Sequence, residues 1–226
     1  LAALARELGR RLGAGAGRLV LDNTYLTRAS RNLVVETSAR HGAGVRCVWL
    51  DTPLAQAQVN LVLRQLALFG RLPEPAELRV LAKSHPGLMM PTSQLRAVRE
   101  LEPPTDDEGF AAVERVPFRR APARGVPGVF VASDAVPGFR VEDPSVSHLV
   151  FGWQLPGDVA LPGAVVASCP HPGGPPACWC RPPLPGLVLA FCREHGVDPA
   201  RSVLVGATPG HRALAAAVGA RFAGPR

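Results

Sequence analysis

The segment Cys169-Pro-His171-Pro-Gly-Gly-Pro-Pro-Ala-Cys178-Trp-Cys180 places four thiol or imidazole groups within twelve residues, as two i, i+2 pairs flanking a Pro/Gly run. In extended chain, residues i and i+2 point to the same side, so each pair can grip one ion while the Pro/Gly run folds back. A Cys3His set suits zinc in a closed tetrahedral site with no position left for water or substrate, which points to a structural metal. Two other readings of the same residues stay open: reduced thiols without metal, and a disulfide or redox pair. A disulfide needs an oxidising compartment, and the sequence shows no basic start followed by an apolar signal segment. The five cysteines are an odd number, and Cys47 and Cys192 lie in apolar runs where a small buried thiol is the ordinary expectation.

Composition bounds the rest. At 226 residues and 47% apolar content the chain can build one large or two modest cores. The net charge of +7 is carried by 24 Arg and a single Lys, with +5 on the residues before 121 and +2 after them. That bias favours a polyanionic partner for the first half, although a drift in composition towards Arg, Ala, Gly and Pro would give the same excess. No apolar run is long enough to span a bilayer. A soluble, cytoplasmic protein with no membrane partner is expected.

Periodicity predicts a helix over residues 2–12, a strand over 18–22, a helix capped by Thr27 and running to about Arg40, a strand over 45–50 and a helix from Pro53 to about Phe69. Short helices broken by Pro and Gly follow, and residues 109–118 read as a strand. The basic, Pro-rich stretch Arg119–Pro127 reads as a linker. A second set follows: strands over 128–131, 148–151, 163–168 and 202–205, and helices over about 185–195 and 209–218. The fold class expected is α/β, as two small parallel-sheet units. The expected domains are 1–120 and 128–226, joined by a linker at 121–127.

The run Gly13-Ala-Gly15-Ala-Gly17 ends a helix and precedes a strand, the reverse of a phosphate loop. No G-x-x-x-x-G-K-S/T occurs, and the one lysine, Lys83, is expected in a Pro-flanked loop. Asp22, Asn23 and Thr24 close a predicted strand, and Arg28 and Arg31 sit on the helix after it, where α/β proteins place ligand-contacting groups.

From Leu21 to Arg64 the sequence resembles the kinase domain of polynucleotide kinase–phosphatase proteins, which carry a D-N-T-N strand end, an Arg-bearing helix and a lid helix L-x-Q-A-R-x-N-x-R-x-R. Gln56, Ala57, Asn60 and Arg64 match the lid pattern, whereas Gln58 and Val62 replace arginines. Pro104-Thr105-Asp-Asp-Glu108-Gly109-Phe110 is similar to the family's P-T-x-x-E-G-F segment. The resemblance covers roughly residues 1–120. It implies ATP-dependent phosphorylation of 5′-hydroxyl nucleic-acid ends, with Asp22, Asn23, Thr24, Arg28, Arg31 and Arg64 as candidate nucleotide or nucleic-acid contacts. In that family the phosphate cradle and general-base Asp precede the D-N-T strand. Residue 1 here is Leu, so the chain is expected to begin inside a longer protein, and ATP and Mg²⁺ are expected only with that preceding part.

From residue 128 on, the Cys169 to Cys180 loop followed by Arg181-Pro-Pro-Leu-Pro185-Gly186 and then Val205-Gly206 resembles the zinc-loop branch of haloacid-dehalogenase-type phosphatases, the heptose bisphosphatase and histidinol phosphatase group. The resemblance implies a structural zinc on Cys169, His171, Cys178 and Cys180. The family's nucleophile aligns with Ala132, the Thr/Ser-Asn-Gln motif with Gly152-Trp153-Gln154, its lysine with Pro182 and its later acidic residues with Ala207 and His211. Only Asp134 remains, as an acid. The expectation is a remnant of a bifunctional polynucleotide 5′-kinase/3′-phosphatase, inactive as this chain, with single-stranded or nicked nucleic acid as a partner. The alternatives are a non-catalytic nucleic-acid or protein interaction module and a phosphatase of altered chemistry.

Overall fold

The computed structural model describes residues 2–121 and 124–225, so Pro122 and Ala123 of the expected linker lie outside the described residues. The chain forms two compact units that do not follow chain order: unit 1 joins the residues up to Thr52 to Leu95–Arg119, and unit 2 joins Pro53–Gln94 to the chain from Arg120 onward. The sequence division at 121–127 differs from this one, because residues 53–94 group with the second half. What is described of the expected linker is tied into unit 2: Arg120 donates to the Ala217 carbonyl, the Arg124 amide to Asp198, and Val126 bridges Val197.

In unit 1, helix α1 (Ala2–Gly13) packs on α2 (Arg28–Ala39), and a two-stranded parallel sheet pairs β1 (Arg46–Asp51) with β2 (Ala112–Pro117). The α2 start is capped as expected, with the Thr27 hydroxyl accepting from the Ser30 amide and Ser30 Oγ reciprocating. The strand expected over 18–22 does not form. A strand needs a ladder partner, whereas Leu21 lines a tight apolar cleft with Leu4, Leu8, Tyr25, Leu33 and Val34.

One ion pair organises this unit. Arg31 and Glu108 have side chains 6% and 2% exposed, and they meet through two hydrogen bonds of 2.6 and 2.7 Å. The same guanidinium donates to the carbonyls of Tyr25, Leu26 and Glu102. Tyr25 holds the rare positive φ of 33°, and Arg31 secures its carbonyl. Glu108 in turn closes a capping box with Thr105, which gives the P-T-D-D-E-G-F segment its turn.

Unit 2 holds a five-stranded, all-parallel sheet in the order β5-β4-β3-β6-β7, formed by β3 (Gly128–Ala132), β4 (Ser147–Trp153), β5 (Val165–Cys169), β6 (Val203–Val205) and β7 (Arg221–Ala223). The chain winds outward from β3 to β5 and then crosses back to β6, a doubly wound order whose switch point lies between β3 and β6. Strand residues alternate between two cores, as a period of two requires. Phe130, Leu149, Phe151 and Leu204 face α3 (Leu54–Phe69), α6 (Gly186–His195) and α7 (Pro209–Val218). Val131, Val150 and Val205 face the segment that carries Ala135 and Leu161. Both faces are buried, which suits parallel strands.

Two helices complete the unit's account. Helix α4 (Pro75–Ser84) buries Leu78, and α5 (Pro91–Glu100) runs across the division between units. Lys83 lies in the last turn of α4 rather than in a loop, since the Glu74–Glu77 capping box starts a helix that reaches it. Strand β7 is too short, at three residues, to show alternation in the sequence. Among the described residues no helix is long and apolar enough to cross a membrane.

The Arg31–Glu108 pair yields a prediction with a defined sign. The hydrogen bond from Arg31 holds the Glu108 carboxyl below its ordinary value of 4.5. Its stabilisation is therefore complete above pH 4.5 and is lost as pH falls through the depressed folded-state value. Arg31→Met, which leaves Glu108 buried and unpaired, is expected to cost about 3–5 kcal/mol. Denaturant unfolding of the variant measures this loss, and acid titration of the wild type should show the stability decline that Glu108→Gln removes.

Candidate metal centre

The Cys/His segment folds into one cluster. Cys169 is the last residue of β5, and Cys178 and Cys180 lie just before α6, so the Pro/Gly run forms the reverse turn between a strand end and a helix start. All four ligand atoms lie within 4.8 Å of one another, and the three cysteines are buried. Cys169 Sγ is 3.6 Å from Cys178 Sγ and 3.4 Å from Cys180 Sγ; His171 Nδ1 is 3.5 Å from Cys169 Sγ and 3.2 Å from Cys180 Sγ. Tetrahedral zinc with thiolate bonds near 2.3 Å places its sulfurs about 3.8 Å apart. The residues fit such an ion: three soft sulfurs and one imidazole nitrogen converge at close to the required separations. All five cysteines are free thiols, so the disulfide reading does not hold within this structure.

Burial and mutual contacts shift the four ligand groups in opposite directions. The hydrogen bond from Cys180 pulls the Cys178 thiol down to about 5, against the opposing effect of burial. The same contact and burial push Cys180 up, and burial pushes Cys169 up. Burial lowers the His171 value, but the Glu74 hydrogen bond and then the Cys178 charge outweigh it, leaving the imidazole above its ordinary value. A divalent ion on these ligands would bind with release of the thiol protons still held.

The loop is braced on several sides. Arg181 donates to the carbonyls of Gly174 and Pro172 and stacks its guanidinium over the Trp153 ring. Trp153 Nε1 and Gln154 Nε2 both donate to the His171 carbonyl. Gly186 permits the close return of the chain, since a Cβ there would lie 2.4 Å from the Trp179 carbonyl oxygen. His171 Nε2 is 2.8 Å from a Glu74 carboxylate oxygen, 97 positions away. Glu74 was invisible to sequence reasoning, because a carboxylate that supports a ligand from another element has no fixed spacing to it.

Residues 1–85 match the family model described as an AAA domain. No curated protein matches the chain. The match supports a P-loop kinase-like first half, and the two parallel sheets agree with that fold class. Residues 53–85 of the match belong spatially to unit 2, where α3 buries Val59, Val62 and Leu66 in the core beneath the five-stranded sheet.

The candidate nucleotide contacts divide in the same way. Asp22, Asn23 and Thr24 are exposed, with Asn23 Oδ1 accepting from the Thr24 amide. Arg28 is paired at the surface with Asp107. Arg31 is enclosed by Glu108 and three carbonyls, as described above. Arg64 belongs to unit 2 and donates to the Gly87 carbonyl at 2.7 Å; Gly87 takes φ 85°, and a Cβ there would lie 2.0 Å from Arg64 Nη1. Of the lid-pattern residues, Gln56 donates to the Ala217 carbonyl at the end of α7. Arg28 and Arg31 therefore sit in one unit and Arg64 in the other.

Protein purified without added metal is expected to carry one zinc per chain, measured by elemental analysis, with the zinc released on acidification as protons compete for the ligands. Cys178→Ser should lose the ion and lower Tm by more than about 5 °C. A zinc content near zero with five titratable thiols would contradict the assignment.

Proposed function

We propose that this chain is a non-catalytic relative of bifunctional polynucleotide 5′-kinase/3′-phosphatases, in which a kinase-like first half is joined to a zinc-braced, haloacid-dehalogenase-like pseudophosphatase, with domains at 1–120 and 128–226. The observation that carries the pseudophosphatase part is Ala132. It ends the central strand β3 beside the switch point and is 1% exposed, at the position where aspartyl-phosphate chemistry needs a carboxylate nucleophile. Of the acids such chemistry requires, Asp134 is present, 3.7 Å from His211 Nδ1. Pro182 and Ala207 stand where the lysine and an acidic metal ligand belong. Zinc on Cys169, His171, Cys178 and Cys180 would supply no chemistry and hold the loop in place.

For the first half, the reaction implied for a complete relative is γ-phosphoryl transfer from ATP to a 5′-hydroxyl nucleic-acid end. Such transfer needs a phosphate cradle and a metal ligand. The sequence has no cradle motif, and its one lysine lies in the last turn of α4. ATP and Mg²⁺ would engage only alongside a segment that supplies the cradle.

Binding or scaffolding is therefore the function proposed for the chain itself. Its charge favours a polyanion such as single-stranded nucleic acid. Grouped by spatial unit, Lys/Arg and Asp/Glu number 12 and 10 in unit 1 against 13 and 8 in unit 2, so the larger excess belongs to unit 2. Arg64 and its exposed neighbours would carry such contacts, and Arg31 would contribute only by holding unit 1 together.

Purified chain is expected neither to phosphorylate 5′-hydroxyl oligonucleotides with ATP and Mg²⁺ nor to release phosphate from 3′-phosphorylated ends. Single-stranded oligonucleotides should bind weakly, with log affinity falling by roughly 0.7 per phosphate contact for each log unit of salt. Mg²⁺-dependent turnover that co-elutes with the protein through successive columns would overturn the non-catalytic reading.

A further inference from the structure

We propose that the metal site is also a clasp, in which Glu74 positions the His171 imidazole and, through it, metal binding docks residues 70–90 onto the loop that carries the ligands. The inference rests on the reading of Cys169, His171, Cys178 and Cys180 as a metal site, and it assigns that site a second role, within unit 2.

Three contacts converge on the loop from either end of α4. On the near side, the Glu74 carboxylate meets His171 Nε2 at 2.8 Å, and Leu72 packs against the three cysteines. On the far side, the Met89 carbonyl accepts from Trp179 Nε1 at 3.0 Å, and Trp179 is 2% exposed between Cys178 and Cys180. Glu74 is itself held in place. It forms the capping box of α4 with Glu77, whose carboxylate takes two 2.8 Å hydrogen bonds from Arg71.

The Glu74–His171 contact differs from the other two in its dependence on the ion. The Glu74 side chain is 69% exposed, and an exposed carboxylate–imidazole pair alone stabilises little. With Nδ1 facing the sulfurs, Nε2 carries the proton that Glu74 accepts. Coordination through Nδ1 draws charge from the ring and strengthens that hydrogen bond, and the carboxylate in return fixes the tautomer and raises the basicity of the ligand. By linkage, the factor by which Glu74 tightens metal binding equals the factor by which metal tightens the docking of Glu74.

Two measurements on the full chain test the clasp. In chelator competition, Glu74→Gln should bind one zinc per chain with affinity about 10–100-fold below wild type, the range expected when a supporting carboxylate is lost. Glu74→Asp should recover part of it. Because Glu74→Gln keeps a side-chain oxygen for the α4 cap, it should lower the Tm of the zinc-loaded protein more than that of the metal-free protein, and an equal lowering of both would mean a merely structural role for Glu74. In hydrogen exchange, removing zinc from the wild type should deprotect residues 72–90 together with 169–180. If wild type and Glu74→Gln bind zinc equally, or if 72–90 stay protected when zinc is removed, the clasp is wrong while the metal site stands. Absence of zinc from the wild type would overturn both.

Discussion

Three buried sulfurs and an imidazole nitrogen held within 4.8 Å of one another form the constraint on which unit 2 depends. A buried polar group costs free energy unless it is partnered, and here the imidazole nitrogen is turned towards the sulfurs. Here the chain uses the end of β5, a Pro/Gly turn and the start of α6 to bring them together. Those elements then fix their neighbours: Trp179 fills the core between two of the cysteines, Gly186 lets α6 begin against it, and Arg181 ties the turn to Trp153. The loop makes a rigid junction between the sheet and the helices on one of its faces. A tetrahedral ion on these four ligands would leave no coordination position for substrate, and its chemistry would then serve the fold.

The two units solve the problem of a small core differently. Unit 2 buries a doubly wound sheet on both faces, with α3, α6 and α7 on one side. Among the described residues, unit 1 has two strands and no fully buried strand residue, and it encloses the Arg31–Glu108 pair with its surrounding carbonyls. A buried pair of this kind is weak evidence for net stability, but removing either partner strands the other in the interior. Two pieces of sequence that looked like ligand-binding elements, an Arg-bearing helix and the P-T-D-D-E-G-F turn, are joined by this pair and serve to close the unit.

Much of the architecture was legible in the sequence, and what was not has physical causes. Caps and terminators placed α2 correctly, since Thr27 and Gly42 act through local geometry. Short apolar runs located β3, β4 and β6 to within a residue or two, since strands buried on both faces are apolar throughout. The cysteine spacing brought out the Cys/His cluster, because its members come from one short segment. By contrast, residues 18–22 have the composition of a strand without a neighbour to pair with, and Leu21 goes to a cleft between helices instead. The grouping of 53–94 with the second half was hidden because its contacts are long-range, as where Gln56 donates to the Ala217 carbonyl 161 positions away. Glu74 and Met89 could not be found at all, since their contacts to the loop span 97 and 90 positions.

The central claim is that this Cys3His set holds one ion in a closed, sulfur-rich shell. X-ray absorption at the zinc edge on protein as purified tests it most directly. The account predicts a four-coordinate shell with about three sulfurs near 2.3 Å and one nitrogen near 2.0 Å, and no exchangeable oxygen. A shell dominated by oxygen and nitrogen, or one with an open water position, would contradict it.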